Sequence, residues 1–107
     1  MTLKEKVNAE LKASVISIAE GIEKAASGEE LAEYLEDVLD VEISIGGDFR
    51  YRGVEIQLAF GGPNIYFNTN TGEVKGYWGT DKFSWCVKSF AVDAVDDYFE
   101  EYYNSCR

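Results

Sequence analysis

The residues with the clearest capacity for chemistry are carboxylates, and they come in rows. Asp93, Asp96, Asp97, Glu100 and Glu101 fall at i, i+3, i+4, i+7 and i+8, the spacing that gathers side chains on one face of a helix. Glu29, Glu30, Glu33, Glu36, Asp37 and Asp40 repeat the pattern earlier in the chain. Neither row holds a lysine or arginine four residues on to compensate it. At a rise of about 1.5 Å per residue, successive acids in such a row stand about 4.5–6 Å apart along the axis. Phosphates along a nucleic-acid strand have a comparable spacing, so the row offers an arginine- and lysine-lined groove the charge pattern of a nucleic-acid backbone. The plainer alternative is a solvated acidic face.

Other chemistries find less support. The chain has no histidine, which removes imidazole bases, serine–histidine pairs and histidine metal sites together. Carboxylates are numerous enough for a glycosidase-type pair. Nothing in the pattern, however, sets one acid in an apolar pocket opposite another to split their pKa values. Catalysis through carboxylates is therefore a third reading, and no enzyme is expected. Asn68-Thr69-Asn70-Thr71-Gly72-Glu73 has the alternating oxygens of a calcium loop, but its glycine falls at the fifth position and no acid stands at the twelfth. Gly46-Gly47 and Gly61-Gly62 join strand to strand and so lack the helix N-terminus that lets a glycine loop hold phosphate. Cys86 and Cys106 form no C-x-x-C pair and have no partners for a zinc site; plain thiols are expected. No metal and no cofactor is called for.

The 107 residues suffice for one domain, here taken as 1–107. Apolar types make up 46% of the chain and aromatics 14%, enough for a real core and too much for a disordered acidic chain. The formal charge is −10, which argues against direct binding of nucleic acid. Residues 20–48 carry ten acids against one base, and residues 93–107 five against one, while 49–92 is net positive. The start, Thr2-Leu3-Lys4-Glu5-Lys6-Val7, contains no unbroken apolar stretch of about 7–15 residues. No run approaches the 18 or so residues of a membrane span. The expectation is a cytoplasmic protein of a bacterial host cell.

The elements that must position the acids follow from periodicity. Thr2-Leu3-Lys4-Glu5 fits a capping box, and Leu3, Val7, Leu11, Val15, Ile18, Ile22 and Ala25 form one helical stripe ending at Gly28. Ser27-Gly28-Glu29-Glu30 reads as a second capping box before Leu31, Tyr34, Leu35, Val38 and Leu39. After Asp40 the period changes to two. Strands are expected at Val41–Ile45, at Phe49–Phe60 with Val54, Ile56, Leu58 and Phe60 on one face, at Ile65–Thr69 and at Glu73–Trp78. Gly53 marks a bulge, residues 79–84 read as a loop, and a short fifth strand at 85–87 is compatible with the pattern. Ser89 caps a last helix in which Val92, Val95, Phe99 and Tyr102 share a face, with Asn104 ending it. The order ααββββα, with four strands or five, is an α+β domain: an antiparallel meander with helices on one side.

The stretches Arg52–Val54, Gly61–Tyr66, Thr71–Val74 and Gly76–Gly79 resemble small proteins carried by phages and mobile elements of gut Firmicutes. Thr71-Gly72-Glu73-Val74 after a strand also resembles the hairpin of PepSY-type domains. In size and acidity the chain is similar in kind to anti-CRISPR and antirestriction inhibitors, many of which mimic DNA. That resemblance implies an acidic nucleic-acid mimic, an inhibitor whose partner is a basic nucleic-acid-binding protein, a CRISPR effector or a restriction enzyme. No functional residue carries over from that likeness of size and charge; the carboxylate spacing itself makes the rows at Glu29–Asp40 and Asp93–Glu101 the expected partner-binding residues. The alternative is a non-catalytic protein-binding or regulatory domain. Its contact surface would be exposed sheet aromatics such as Tyr66 and Tyr77, beside Arg50, Arg52, Lys75 and Lys82.

Overall fold

The computed structural model describes residues 2–106. Helix α1 (Leu3–Ser27) starts at the expected capping box, with Thr2 and Glu5 each satisfying the other's backbone N–H. Helix α2 (Leu31–Glu36) follows, then strands β1 (Asp40–Ile45), β2 (Tyr51–Ala59), β3 (Asn64–Asn68), β4 (Glu73–Trp78) and β5 (Asp81–Cys86), and helix α3 (Ser89–Ser105). The strands form one antiparallel sheet in the order β1-β2-β3-β4-β5. This is the α+β meander expected from the period switch, with its fifth strand present.

One face of the sheet meets the helices. Helix α1 packs on β4, β5 and α3, and α3 packs on β2. The core joins Leu11, Val15, Ala19 and Ile22 of α1, Ala91, Val95 and Phe99 of α3, and Val54, Ile56, Ile65, Phe67 and Val74 of the sheet. Helix α1 and strand β4 come close together at Gly76. A β-carbon there would lie 2.5 Å from Val15 Cγ2 and 2.8 Å from Leu11 Cδ1, so glycine lets α1 seat directly on β4.

Several local expectations give way. Ser27 does not cap α2: its hydroxyl donates to the Lys24 carbonyl, and Glu30 takes the cap position without a side-chain bond. Helix α2 ends at Glu36, short of Leu39, because Leu39 already bonds the Gln57 carbonyl on its way into β1. Phe60 lies beyond β2 and is exposed, the register having slipped between Gln57 and Ala59. The bulge expected near Gly53 is present, with Arg52 as the extra residue between the pairs Ser44–Gly53 and Ile45–Tyr51. Residues 81–86 are strand rather than loop. Gly79, at φ +63, closes a two-residue turn that brings Asp81 opposite Trp78. Ser89 is the first residue of α3 rather than its cap, which falls to Lys88; α3 runs one residue past Asn104, and Tyr102 is exposed.

Phe49 is the single described non-glycine residue at positive φ, +62°. Its N–H donates to the Gly46 carbonyl and its own carbonyl accepts from the Tyr103 hydroxyl at 2.8 Å. An L-residue in this region costs about 1–2 kcal/mol, which glycine avoids at some cost in chain entropy. The Phe49→Gly variant is therefore expected to gain up to about 1 kcal/mol, read as a higher denaturant midpoint; a lower midpoint shows that the exposed ring contributes more than the strain.

Candidate functional site

The two acidic rows fare differently. On α3, Asp93, Asp97, Glu100 and Glu101 are exposed and share the outward face, as the helical spacing requires. Asp96 does not join them. It is half-buried at the flank facing the sheet, where its Oδ1 accepts a 2.7 Å hydrogen bond from the Tyr51 hydroxyl. The expected row of five is a row of four plus one carboxylate tied to β2.

The earlier row is not a helical stripe at all. Glu29 and Glu30 precede α2, Glu33 and Glu36 lie on it, Asp37 is its C-cap, and Asp40 opens β1 opposite Gln57. All six are exposed, yet a six-residue helix cannot align them. They form a diffuse acidic region running from the α1–α2 corner into β1.

Among the described residues no cation is ion-paired to either set. Among the described residues the ion pairs join Asp48 to Arg50 and to Arg52, within the β1–β2 hairpin. The candidate acids take no part in them. Each like-charge i, i+4 pair costs about 0.2–0.5 kcal/mol. Glu100 and Glu101 also approach the negative end of the α3 dipole, whose last turn holds no basic residue. The arrangement is unfavourable for the fold and compatible with a cationic partner.

Tyr51 has no distinguishing sequence context, yet its hydroxyl forms a polar link between α3 and β2. Burial raises its hydroxyl well above the ordinary tyrosine value; the hydrogen bond to Asp96, the charge on that carboxylate and that on Glu100 push the same way. The Thr69 hydroxyl offsets this in part. Burial likewise raises Tyr34. Because the folded state holds these protons above the pH at which the unfolded chain releases them, stability falls as pH rises above about 10. Replacing Tyr51 with phenylalanine is expected to flatten that fall. The measurement is the urea midpoint from pH 8 to 11; an unchanged slope rules out Tyr51 as its source.

The opposite face of the sheet carries no helix. Cross-strand register sets Glu42, Glu55, Asn68, Glu73 and Cys86 in one row, and Asp40, Gln57, Tyr66, Lys75 and Ser84 in the next. Tyr77 pairs with Lys82 beyond them, and the Tyr66 and Tyr77 rings meet edge-on with centroids 6.2 Å apart. Shallow depressions flank this pair, lined by Glu55, Asn68, Glu73, Lys75, Lys82 and Ser84. Lys75 and Lys82 thus join the tyrosines. Arg50 and Arg52 stay on the β1–β2 hairpin with Asp48.

Residues 68–73 form the β3–β4 turn, closed by the Gly72 N–H donating to the Asn68 carbonyl at 2.8 Å. No cluster of three acidic or thiol groups able to hold a metal is found among the described residues. Cys86 and Cys106 are free and exposed. No described helix is long and apolar enough to cross a membrane. No protein family, curated protein or solved structure matches the chain.

Proposed function

We propose that the chain is a non-catalytic inhibitor of a nucleic-acid-binding defence protein, a CRISPR effector or a restriction nuclease, and that it acts as an acidic mimic occupying the basic site of that protein. The observation that carries this reading is the outward row Asp93, Asp97, Glu100 and Glu101, exposed along one helix and unpaired with any described cation. A helix presents these carboxylates at fixed intervals, and the packing of α3 on the sheet together with the Tyr51–Asp96 hydrogen bond anchors that helix. Arginines and lysines that otherwise hold phosphate would pair with them, so inhibition is competitive occlusion with no covalent step. Association is steered by charge and weakens with salt.

The test is capture from host lysate at low and at high salt, with duplex DNA or RNA added as competitor. The reading expects a DNA- or RNA-processing protein, retained at low salt and released by either treatment. A partner that stays bound through both overturns it.

A second reading draws support from the edge-on Tyr66–Tyr77 pair beside Lys75 and Lys82. Aromatic rings and adjacent cations on an uncovered sheet suit a protein interface. Under this reading Tyr77→Ala removes binding and changes to the α3 acids do not.

A further inference from the structure

β1 is an edge of the sheet, paired with β2 and with no other described strand. Its helix-side residues Val41, Ile43 and Ile45 oppose Ile56, Val54 and Tyr51 and so extend the apolar face, yet neither long helix packs broadly over them. Val41 is 38% exposed, Ile45 45%, and Leu39 just before them 60%. Half the backbone N–H and C=O groups of an edge strand also point away from the sheet without partners.

This apolar strip is acidic on both faces. On the open face β1 itself supplies Asp40 and Glu42, and Glu55 stands directly opposite Glu42. On the helix face, Tyr51, the cross-strand partner of Ile45, donates to Asp96 and feels the charge of Glu100. Two α3 carboxylates therefore stand beside the far end of the strand. There the hairpin also presents the strained Phe49, 65% exposed.

We propose that β1 receives an extended cationic segment of a partner protein as a sixth strand, its side chains alternating between apolar residues and lysine or arginine. The period of two in β1 dictates this alternation: apolar residues lie beside Val41, Ile43 and Ile45, and basic ones beside Asp40 and Glu42. A second copy of the chain is a poor occupant, because pairing β1 with its twin brings Asp40, Glu42 and Glu55 toward their own counterparts in chains that each carry −10. The inference rests on the reading of the acidic surface as partner-facing, and adds the element by which the partner is held.

The probe is a capped ten-residue peptide alternating lysine with valine, added to the full chain and followed by amide NMR shifts, hydrogen exchange and light scattering. Two controls accompany it: the same peptide N-methylated at every second residue, and an all-lysine decamer. The expected result is a monomeric chain in which the alternating peptide shifts residues 40–45 and slows exchange of alternate amides there. N-methylation is expected to abolish this. A V41K/I45K double variant, with its folding checked by thermal melting, is expected to bind at least tenfold more weakly. The inference is overturned if no peptide binds, if the controls bind as tightly, or if the chain is already a dimer through β1. Binding confined to the outer face of α3 also overturns it, while leaving the mimic reading standing.

Discussion

Exchanging Asp93, Asp97, Glu100 and Glu101 for their amides is expected to leave the fold at least as stable while weakening capture of the partner by about 30- to 900-fold. The stability side follows from helix geometry. Asp93–Asp97 and Asp97–Glu101 are like-charge i, i+4 pairs, and removing each repulsion returns about 0.2–0.5 kcal/mol. Glu100 and Glu101 also lose their conflict with the α3 dipole. None of the four accepts the tertiary hydrogen bond that Asp96 does, so the substitutions leave the α3–sheet contact in place. The binding side rests on about 0.5–1 kcal/mol for each interface charge, compounded over four positions. The formal charge moves from −10 to −6 with four negative charges removed, so a control must separate location from total. Amides at Glu10, Glu20, Glu73 and Asp81 remove the same charge from elsewhere and are expected to weaken capture far less. Equal losses from the two sets point to net charge alone. Undiminished capture by the α3 variant discards the mimic.

Gly76→Ala is expected to destabilise the fold by about 1–3 kcal/mol, the usual cost of overpacking a tight core. The added β-carbon meets Val15 Cγ2 at 2.5 Å and Leu11 Cδ1 at 2.8 Å. Both residues are fully buried, so neither can turn into solvent, and relief requires lifting α1 from β4. For a domain of this size each kcal/mol lowers the thermal midpoint by about 4–8 °C. Val15→Ala removes the nearer clash, so Gly76→Ala is expected to cost less in that background than in the wild type. An equal cost in both would place the effect outside the α1–β4 contact.

These two expectations draw on different levels of the chain. The four outward carboxylates of α3 could be listed from spacing, because a helix of seventeen residues imposes its own period on every exposed position. The second row could not. Its residues obey the same spacing, but Leu39 is drawn into pairing with Gln57, and that tertiary bond ends α2 after six residues. Asp96 is a similar case: helical geometry placed it among its neighbours, and Tyr51, forty-five residues away, turned it to the sheet. The fifth strand was legible only in part: the sequence allows it at 85–87 and reads as loop over 79–84, whereas the pairing of β5 with β4 starts at Asp81, directly after the glycine turn at 79–80. Phe49 at positive φ was not legible, since no side-chain preference selects it; the turn hydrogen bonds and the Tyr103 hydroxyl hold it there.

The element order, the antiparallel meander, the first capping box and the outward direction of four of the five α3 acids were thus legible in the chain alone, because each depends on residues within a few positions of one another. The tertiary structure alone decided which acids remain free, that Gly76 must be small, and that β1 keeps an uncovered apolar edge. Those depend on which distant surfaces come into contact, and contact is set by how two helices of limited breadth cover a sheet five strands wide.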